Sequence, residues 1–305
     1  MITYHEFLEQ IREQVSELVE DEYTVRIMPV RRNNGVVLDS MMIAKPGDQV
    51  CPNIYLNQLY KWHQGGMSIP CIAERILMQY REAVPDESFD IGTLLSRESV
   101  CRNIVYRVVN SLRNKDLLEE VPHRDFLDLS LVYYILIRGT QIGDGAVLVR
   151  REHQKMWELD DEELDLVARE NTEKLLPADI LSISEMMEEL SRQIGNSTYS
   201  ELETEEVCRE SPMYVLTNRD RQFGACYVAN TGVLSELARR EEDDLYILPS
   251  SVHECMIVPV RCGQDPEELG EMVREINRTQ VDAEEFLSDS VYRFNREMNQ
   301  VEIAA

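Results

Sequence analysis

The dipeptide Asn34-Gly35 stands between two apolar runs, Tyr23 to Val30 and Val36 to Ile43. Both central residues of a tight reversal need positive φ, which Asn and Gly adopt with least strain. The pattern therefore predicts an antiparallel hairpin. Upstream of it, Tyr4, Phe7, Leu8, Ile11, Val15, Leu18 and Val19 recur at helical spacing. Thr3 and Glu6 stand three apart at its start, the signature of a capping box, and Ile2 is placed to staple onto Phe7. Pro46-Gly47-Asp48 closes the hairpin region. Helical stretches are predicted near 53–63 and 68–82, separated by Gly65-Gly66, with 85–90 as a linker.

Beyond the linker the expected order is a helix near 97–118 and a buried strand from Leu129 to Ile137. A strand from Ala146 to Arg150 follows, with Gly143-Asp144-Gly145 as the turn before it. Helices are expected over about 161–175 and 179–193, the second with an apolar stripe of Ile183, Met186, Met187 and Leu190. Gly195 to Glu206 reads as an exposed acidic loop. Strands at 213–217 and 225–229, a helix at 231–240, strands at 244–249 and 254–260, a helix at 266–278 and a hairpin around 296–299 complete the chain. The fold class is α+β. An N-terminal helix, β-hairpin and helices occupy 1–88, a helical and strand–strand–helix region 89–200, and a C-terminal α/β region packed with it 207–305. Asp160, Glu162, Glu163, Leu164, Arg169 and Glu170 match Asp265, Glu267, Glu268, Leu269, Arg274 and Glu275 at a constant offset. The match has two readings: a duplicated strand–strand–helix unit, or the same helix-opening chemistry arising twice.

Asp and Glu number 57 against 31 Lys and Arg in 305 residues, a formal charge of −26. That field opposes nucleic acid, whose binding rests on phosphate contacts. It suits a soluble surface, or a protein that imitates DNA to block a DNA-binding partner. The longest apolar run, Leu129 to Ile137, is too short to span a bilayer, and 1–22 lacks the features of a signal peptide. The seven cysteines are scattered without a C-x-x-C pair, as expected of reduced cytoplasmic thiols that serve mostly as small buried apolar groups.

One segment carries reactive groups close together. Between the apolar runs of Asp244 to Pro259 lie Ser250, Ser251, His253, Glu254 and Cys255. A hydroxyl beside an imidazole is the beginning of a nucleophile–base pair. Strand alternation, however, puts His253 and Glu254 on opposite faces, so a triad would need an acid from elsewhere, such as Asp220 or Asp243. No G-x-S-x-G elbow, phosphate loop or paired metal-ligand spacing is present, so no cofactor or metal is predicted. The serines also fit a plain turn. Arg31, Arg32, Asn33, Asn34 and Gly35 form a basic hairpin tip, a plausible contact for an acidic partner.

Seven phrases together carry a family resemblance. They are Arg32-Asn-Asn-Gly-Val-Val-Leu-Asp39, Pro52-Asn-Ile-Tyr-Leu56, Val121-Pro-His-Arg-Asp-Phe126, Ala168-Arg-Glu-Asn-Thr172, Tyr214-Val-Leu-Thr-Asn218, Ile247-Leu-Pro-Ser-Ser-Val-His-Glu254 and Leu287-Ser-Asp-Ser-Val-Tyr292. The chain resembles the bacterial family known as domain of unknown function 5688 over about residues 2–300. The resemblance implies a cytoplasmic bacterial protein and brings no activity or catalytic residue. It also implies an aliphatic residue where Cys255 stands, which favours a packing role for that thiol. The resulting expectation is a soluble, acidic, non-catalytic interaction or regulatory protein with a protein partner. The alternatives are a hydrolase-like enzyme using Ser250 or Ser251 with His253, and a DNA mimic.

Overall fold

A computed structural model describes residues 2–48, 51–84, 96–140, 143–186 and 212–305. The chain divides into two compact units, Met1–Ser99 with Leu136–Ala146, and Val100–Ile135 with Val147–Ala305.

The first unit opens with α1 (Tyr4–Leu18), capped by the Thr3–Glu6 box. Glu6 Oε2 accepts the Thr3 N–H at 2.7 Å, and Thr3 Oγ1 accepts the Glu6 N–H at 3.3 Å. Strands β1 (Thr24–Arg31) and β2 (Val37–Ala44) pair antiparallel, with Arg31 opposite Val37. Asn34 and Gly35 sit at φ 59° and 70°, as the reversal requires. A two-residue strand, β3 (Ile54–Tyr55), lies on the other side of β2, and α2 (Leu56–Gln64) and α3 (Ile69–Ala83) follow. Phe7, Ile11 and Val15 of α1 meet Met41 and Ile43 of β2 and Ile72 and Ile76 of α3 in one fully buried core.

The second unit holds most of two antiparallel sheets, the exception being the Leu136–Ala146 stretch. In one, β4 (Ile104–Asn110) and β5 (His123–Phe126) flank β6 (Leu129–Thr140), and β7 (Gly143–Leu148) also pairs with β6. After α6 (Arg151–Trp157; the short α4, Arg97–Asn103, and α5, Lys115–Glu120, precede it) comes α7 (Asp161–Leu175). The other sheet has six strands in the order β13 (Gln300–Ile303), β12 (Tyr292–Asn295), β10 (Leu245–Leu248), β11 (Cys255–Pro259), β9 (Tyr214–Asn218) and β8 (Ala178–Ser182). Helices α8 (Thr231–Glu241) and α9 (Pro266–Thr279) lie between its strands in sequence.

A buried carboxylate fastens α7 to the first sheet. Asp165 is 6% exposed and accepts from Arg124 Nη1 at 2.8 Å, Arg169 Nε at 2.9 Å and the Tyr133 hydroxyl at 3.0 Å. Tyr106, paired with Tyr133 across β4 and β6, has its ring 5.5 Å from the Arg169 guanidinium. Thr172 Oγ1 accepts the Tyr106 N–H, and Asn171 donates to the carbonyls of Cys101 and Ile104.

Several expected elements come out differently. The predicted helix over 97–118 is α4, then β4, then α5. Ile104, Val105, Val108 and Val109 are β-branched and pair with β6 from Ile104↔Ile135 to Asn110↔Leu129. Residues 178–182 are strand β8 on β9, not helix. The helix opens only after a capping box in which Ser182 N–H reaches Glu185 Oε2 at 2.7 Å and Glu185 N–H reaches Ser182 Oγ at 3.2 Å. Residues 225–229 belong to a buried 3-10 segment, Gly224–Ala229, not a strand. Gly143-Asp144-Gly145 lies within β7, not in the turn before it. Strand β5 was not foreseen. The matching helices α7 and α9 share their caps, Asp160 and Asp265 accepting first-turn N–H groups, but α6 precedes one and a 3-10 turn the other. Among the described cysteines only Cys226 and Cys255 are buried; Cys71 is exposed and Cys51, Cys101 and Cys262 are intermediate. The expected linker over 85–90 and loop over 195–206, with Met187, Leu190 and Cys208, fall outside the described residues.

Removing the Asp165 charge leaves the Arg124 and Arg169 guanidinium groups without their shared counter-charge. Asp165→Asn is expected to lower unfolding free energy by about 3 kcal/mol, read from the urea midpoint. Glu170→Gln, which loosens only an exposed pair with Lys174, should stay within about 0.5 kcal/mol. Glu241 gives a pH test. Burial alone would raise its carboxyl, but hydrogen bonds from Arg261 and Tyr214 outweigh that and hold it below the usual range. A depressed folded value means stabilisation that is present above the unfolded value and lost as pH falls through the folded one. The stability gap between the native chain and Glu241→Gln should therefore narrow as pH drops below about 4, in urea titrations run at each pH.

Candidate functional site

The connection from β10 to β11 runs through Pro249, Ser250, Ser251, Val252, His253 and Glu254. Pro249 and Val252 are buried, so the peptide groups around them must find protein partners. The segment 285–288 supplies most of them. Leu287 and Ser288 donate their N–H groups to the carbonyls of Ser250 and Pro249, both at 3.0 Å. Val252 N–H donates to Glu285 O at 2.9 Å, and Ala225 N–H to Val252 O at 3.3 Å. The Thr217 hydroxyl donates to His253 O at 2.9 Å. Ser251 Oγ accepts the backbone N–H of His253 at 3.1 Å, a local turn bond.

The imidazole of His253 faces two other groups. Nδ1 accepts the backbone N–H of Phe223 at 3.3 Å, and Nε2 lies 3.4 Å from Glu285 Oε1. An N–H group can only donate, so Nδ1 is the bare nitrogen and the neutral ring carries its proton on Nε2. The Phe223 ring is 5.1 Å from that of His253, and the Arg107 guanidinium lies 3.6 Å from the Phe223 centroid. Arg107 is also 4.2 Å from the Tyr134 centroid, its diagonal neighbour across β4 and β6. The result is a stack of Tyr134, Arg107, Phe223 and His253, ending on Glu285.

The loop that presents Phe223 is strained. Arg221 and Phe223 hold φ of 53° and 57°, a left-handed region in which a side chain costs on the order of 1–2 kcal/mol. Asn218 braces the loop. Its Nδ2 donates to Gln222 O at 2.8 Å, and its Oδ1 accepts Gln222 N–H at 3.3 Å. Gly224 lets the returning chain pass against β9. A Cβ there would stand 2.6 Å from Thr217 Cα.

The candidate residues are thus distributed as follows. Ser251 and His253 meet through a backbone N–H and not through the ring. Among the described contacts, no hydroxyl of Ser250 or Ser251 reaches the imidazole. Glu254 is exposed, and the acid that meets the ring is Glu285 in place of the expected Asp220 or Asp243. Asp243 accepts the Arg261 N–H. Cys255 is fully buried, and burial pushes its thiol well up; Cys226 is pushed up to about 12 by the same cause. Neither is a thiolate near neutral pH. At the hairpin tip Arg32 lies 5.3 Å over the Tyr55 ring, with Arg31 and Arg32 exposed, Asn33 and Asn34 half-buried and Gly35 exposed. Among the described residues no three His, Cys, Asp or Glu side chains converge as metal ligands. Phe223, Arg107 and Glu285 had no signal in local spacing, because each joins the site from a different part of the chain.

This arrangement joins segments quoted above as family phrases, the 214–218, 247–254 and 287–292 stretches. A family model describing a family of unknown function, DUF5688, matches residues 4–296. The chain belongs to that family. Comparison with curated proteins and with solved structures gives no match.

Two substitutions separate the backbone frame from the hydroxyl. Gly224→Ala forces its methyl against Thr217 and Asn218 and should lower stability by about 2–3 kcal/mol. Ser251→Ala removes one local bond and should cost about 1 kcal/mol. Both are read by urea denaturation followed by circular dichroism. Equal small effects would contradict the close approach at Gly224.

Proposed function

We propose that this chain is a cytoplasmic, non-catalytic interaction protein whose acidic helix faces select a basic protein partner. The supporting observation is a stripe found on each of the two matching helices. On α7, Glu163 and Glu170 flank Leu166, which is 60% exposed; on α9, Glu268 and Glu275 flank Met272, which is 52% exposed. Residues three, four and seven apart share a helix face, so each stripe offers carboxylates for attraction around one apolar anchor. The global charge of −26 acts in the same direction, speeding encounter with basic surfaces and opposing phosphate backbones. Among the described residues no helix is long and apolar enough to cross a membrane. The hydroxyls, imidazole and thiols near β11 hold chain segments together, which favours binding over hydrolysis.

The test is affinity capture from the native host, comparing the native chain with Glu163→Lys/Glu170→Lys and Glu268→Lys/Glu275→Lys pairs. A basic protein should be retained at moderate salt, weakened by each pair at least about tenfold (about 1.4 kcal/mol), and released as the screening length shortens below about 8 Å. Retention that ignores both charge reversal and salt, or no protein above background, would sink this reading.

A further inference from the structure

We propose that His253 is a proton-operated latch on Phe223, a device separate from partner binding by the acidic helices. The neutral ring serves as an acceptor at Nδ1 for the Phe223 N–H and as a donor at Nε2 toward Glu285. A proton taken from water can only go to Nδ1. That nitrogen then becomes a donor facing another donor, and the hydrogen bond to Phe223 is lost. The imidazolium is at the same time attracted to the Glu285 carboxylate, 3.4 Å away. The ring therefore stays with the 285–288 segment, and Phe223 is the group that is released.

The loop around Phe223 is set to move once freed. Arg221 and Phe223 both sit at positive φ, and a bulky side chain in that region relaxes when its anchor is lost. Departure of the Phe223 ring takes away one face of the Arg107 stack, so the switch reaches β4. The charged groups around the imidazole act in opposite directions. Glu285 favours the protonated ring, while Arg107, across the Phe223 ring, opposes it. Glu254 is adjacent in sequence and exposed, and Asp220 and Arg221 lie on the same loop as Phe223. His253 is itself 28% exposed, so protons reach it without unfolding.

The test follows amide exchange of Phe223 by nuclear magnetic resonance in the full chain, expressed as protection relative to the intrinsic rate at each pH. Ile257, in the centre of the six-stranded sheet, is the reference. Phe223 protection should fall roughly tenfold between pH 7.5 and 5.5, while Ile257 protection holds. In His253→Asn the carboxamide oxygen still accepts the Phe223 N–H but does not titrate, so protection should stay flat. In Glu285→Gln the imidazolium loses its counter-charge, and the fall should move to lower pH. Phe223 protection that is unchanged on acidification, or that falls equally in His253→Asn, would overturn the latch. If the Asn variant does not fold, a fall at the same pH in the native chain and Glu285→Gln would overturn it.

Discussion

A peptide group removed from water must be hydrogen-bonded, and that requirement organises the second unit around one strand connection. Residues 249–252 connect β10 to β11 with Pro249 and Val252 buried and Ser250 and Ser251 half-buried, so the peptide groups at the buried positions have little solvent to bond. The 285–288 segment lies alongside and takes up the carbonyls of Pro249 and Ser250 and the N–H of Val252. Once the two segments are joined, Glu285 is carried to the His253 ring and Phe286 is bridged to Ser251. Of the side chains that look reactive in sequence, Ser251 accepts the His253 N–H and His253 accepts the Phe223 N–H.

Several other polar groups are paired in the same way. Asp165 has three donors, and Asp128 accepts the hydroxyls of Ser288 and Tyr292. Asp165 is buried and paired, because a bare buried charge is far costlier than a paired one. Asn110 and Asn277 donate to the carbonyls of Leu287 and Ser288, so the stretch next to the turn is fixed from two further directions. Excess acid is left to the exterior, on helix faces such as those of α7 and α9. Interior polar groups tie chain segments together, and exterior acids such as Glu170 meet at most exposed partners.

How much of this could be read beforehand differs by residue. Asn34-Gly35, the Thr3–Glu6 box and the Asp265-Pro266 helix start were legible because each depends on backbone conformation within four residues. Residues 104–110 were misread as helix, since Ile104-Val105 and Val108-Val109 also fit a helical period. Pairing with β6, a strand well downstream in the chain, decided for strand. The Ser182–Glu185 box is visible in sequence as S-x-x-E and marks the helix start. At the candidate site, alternation along the strand correctly warned that His253 and Glu254 part company. It offered no way to name Glu285, Phe223 or Arg107.

The sequence by itself determined local conformation, the acidic exterior and family membership, which rest on spacing, composition and ordered phrases. Tertiary structure alone decided the partner of each reactive side chain. Whether an imidazole meets a serine hydroxyl or a backbone N–H depends on which distant segment lies across from it. For His253, a strained loop at Phe223 and a crossing segment at Glu285 made that choice. Both were brought there by the need to hydrogen-bond a buried turn, a requirement that acts on the folded chain as a whole and leaves no mark in neighbouring residues.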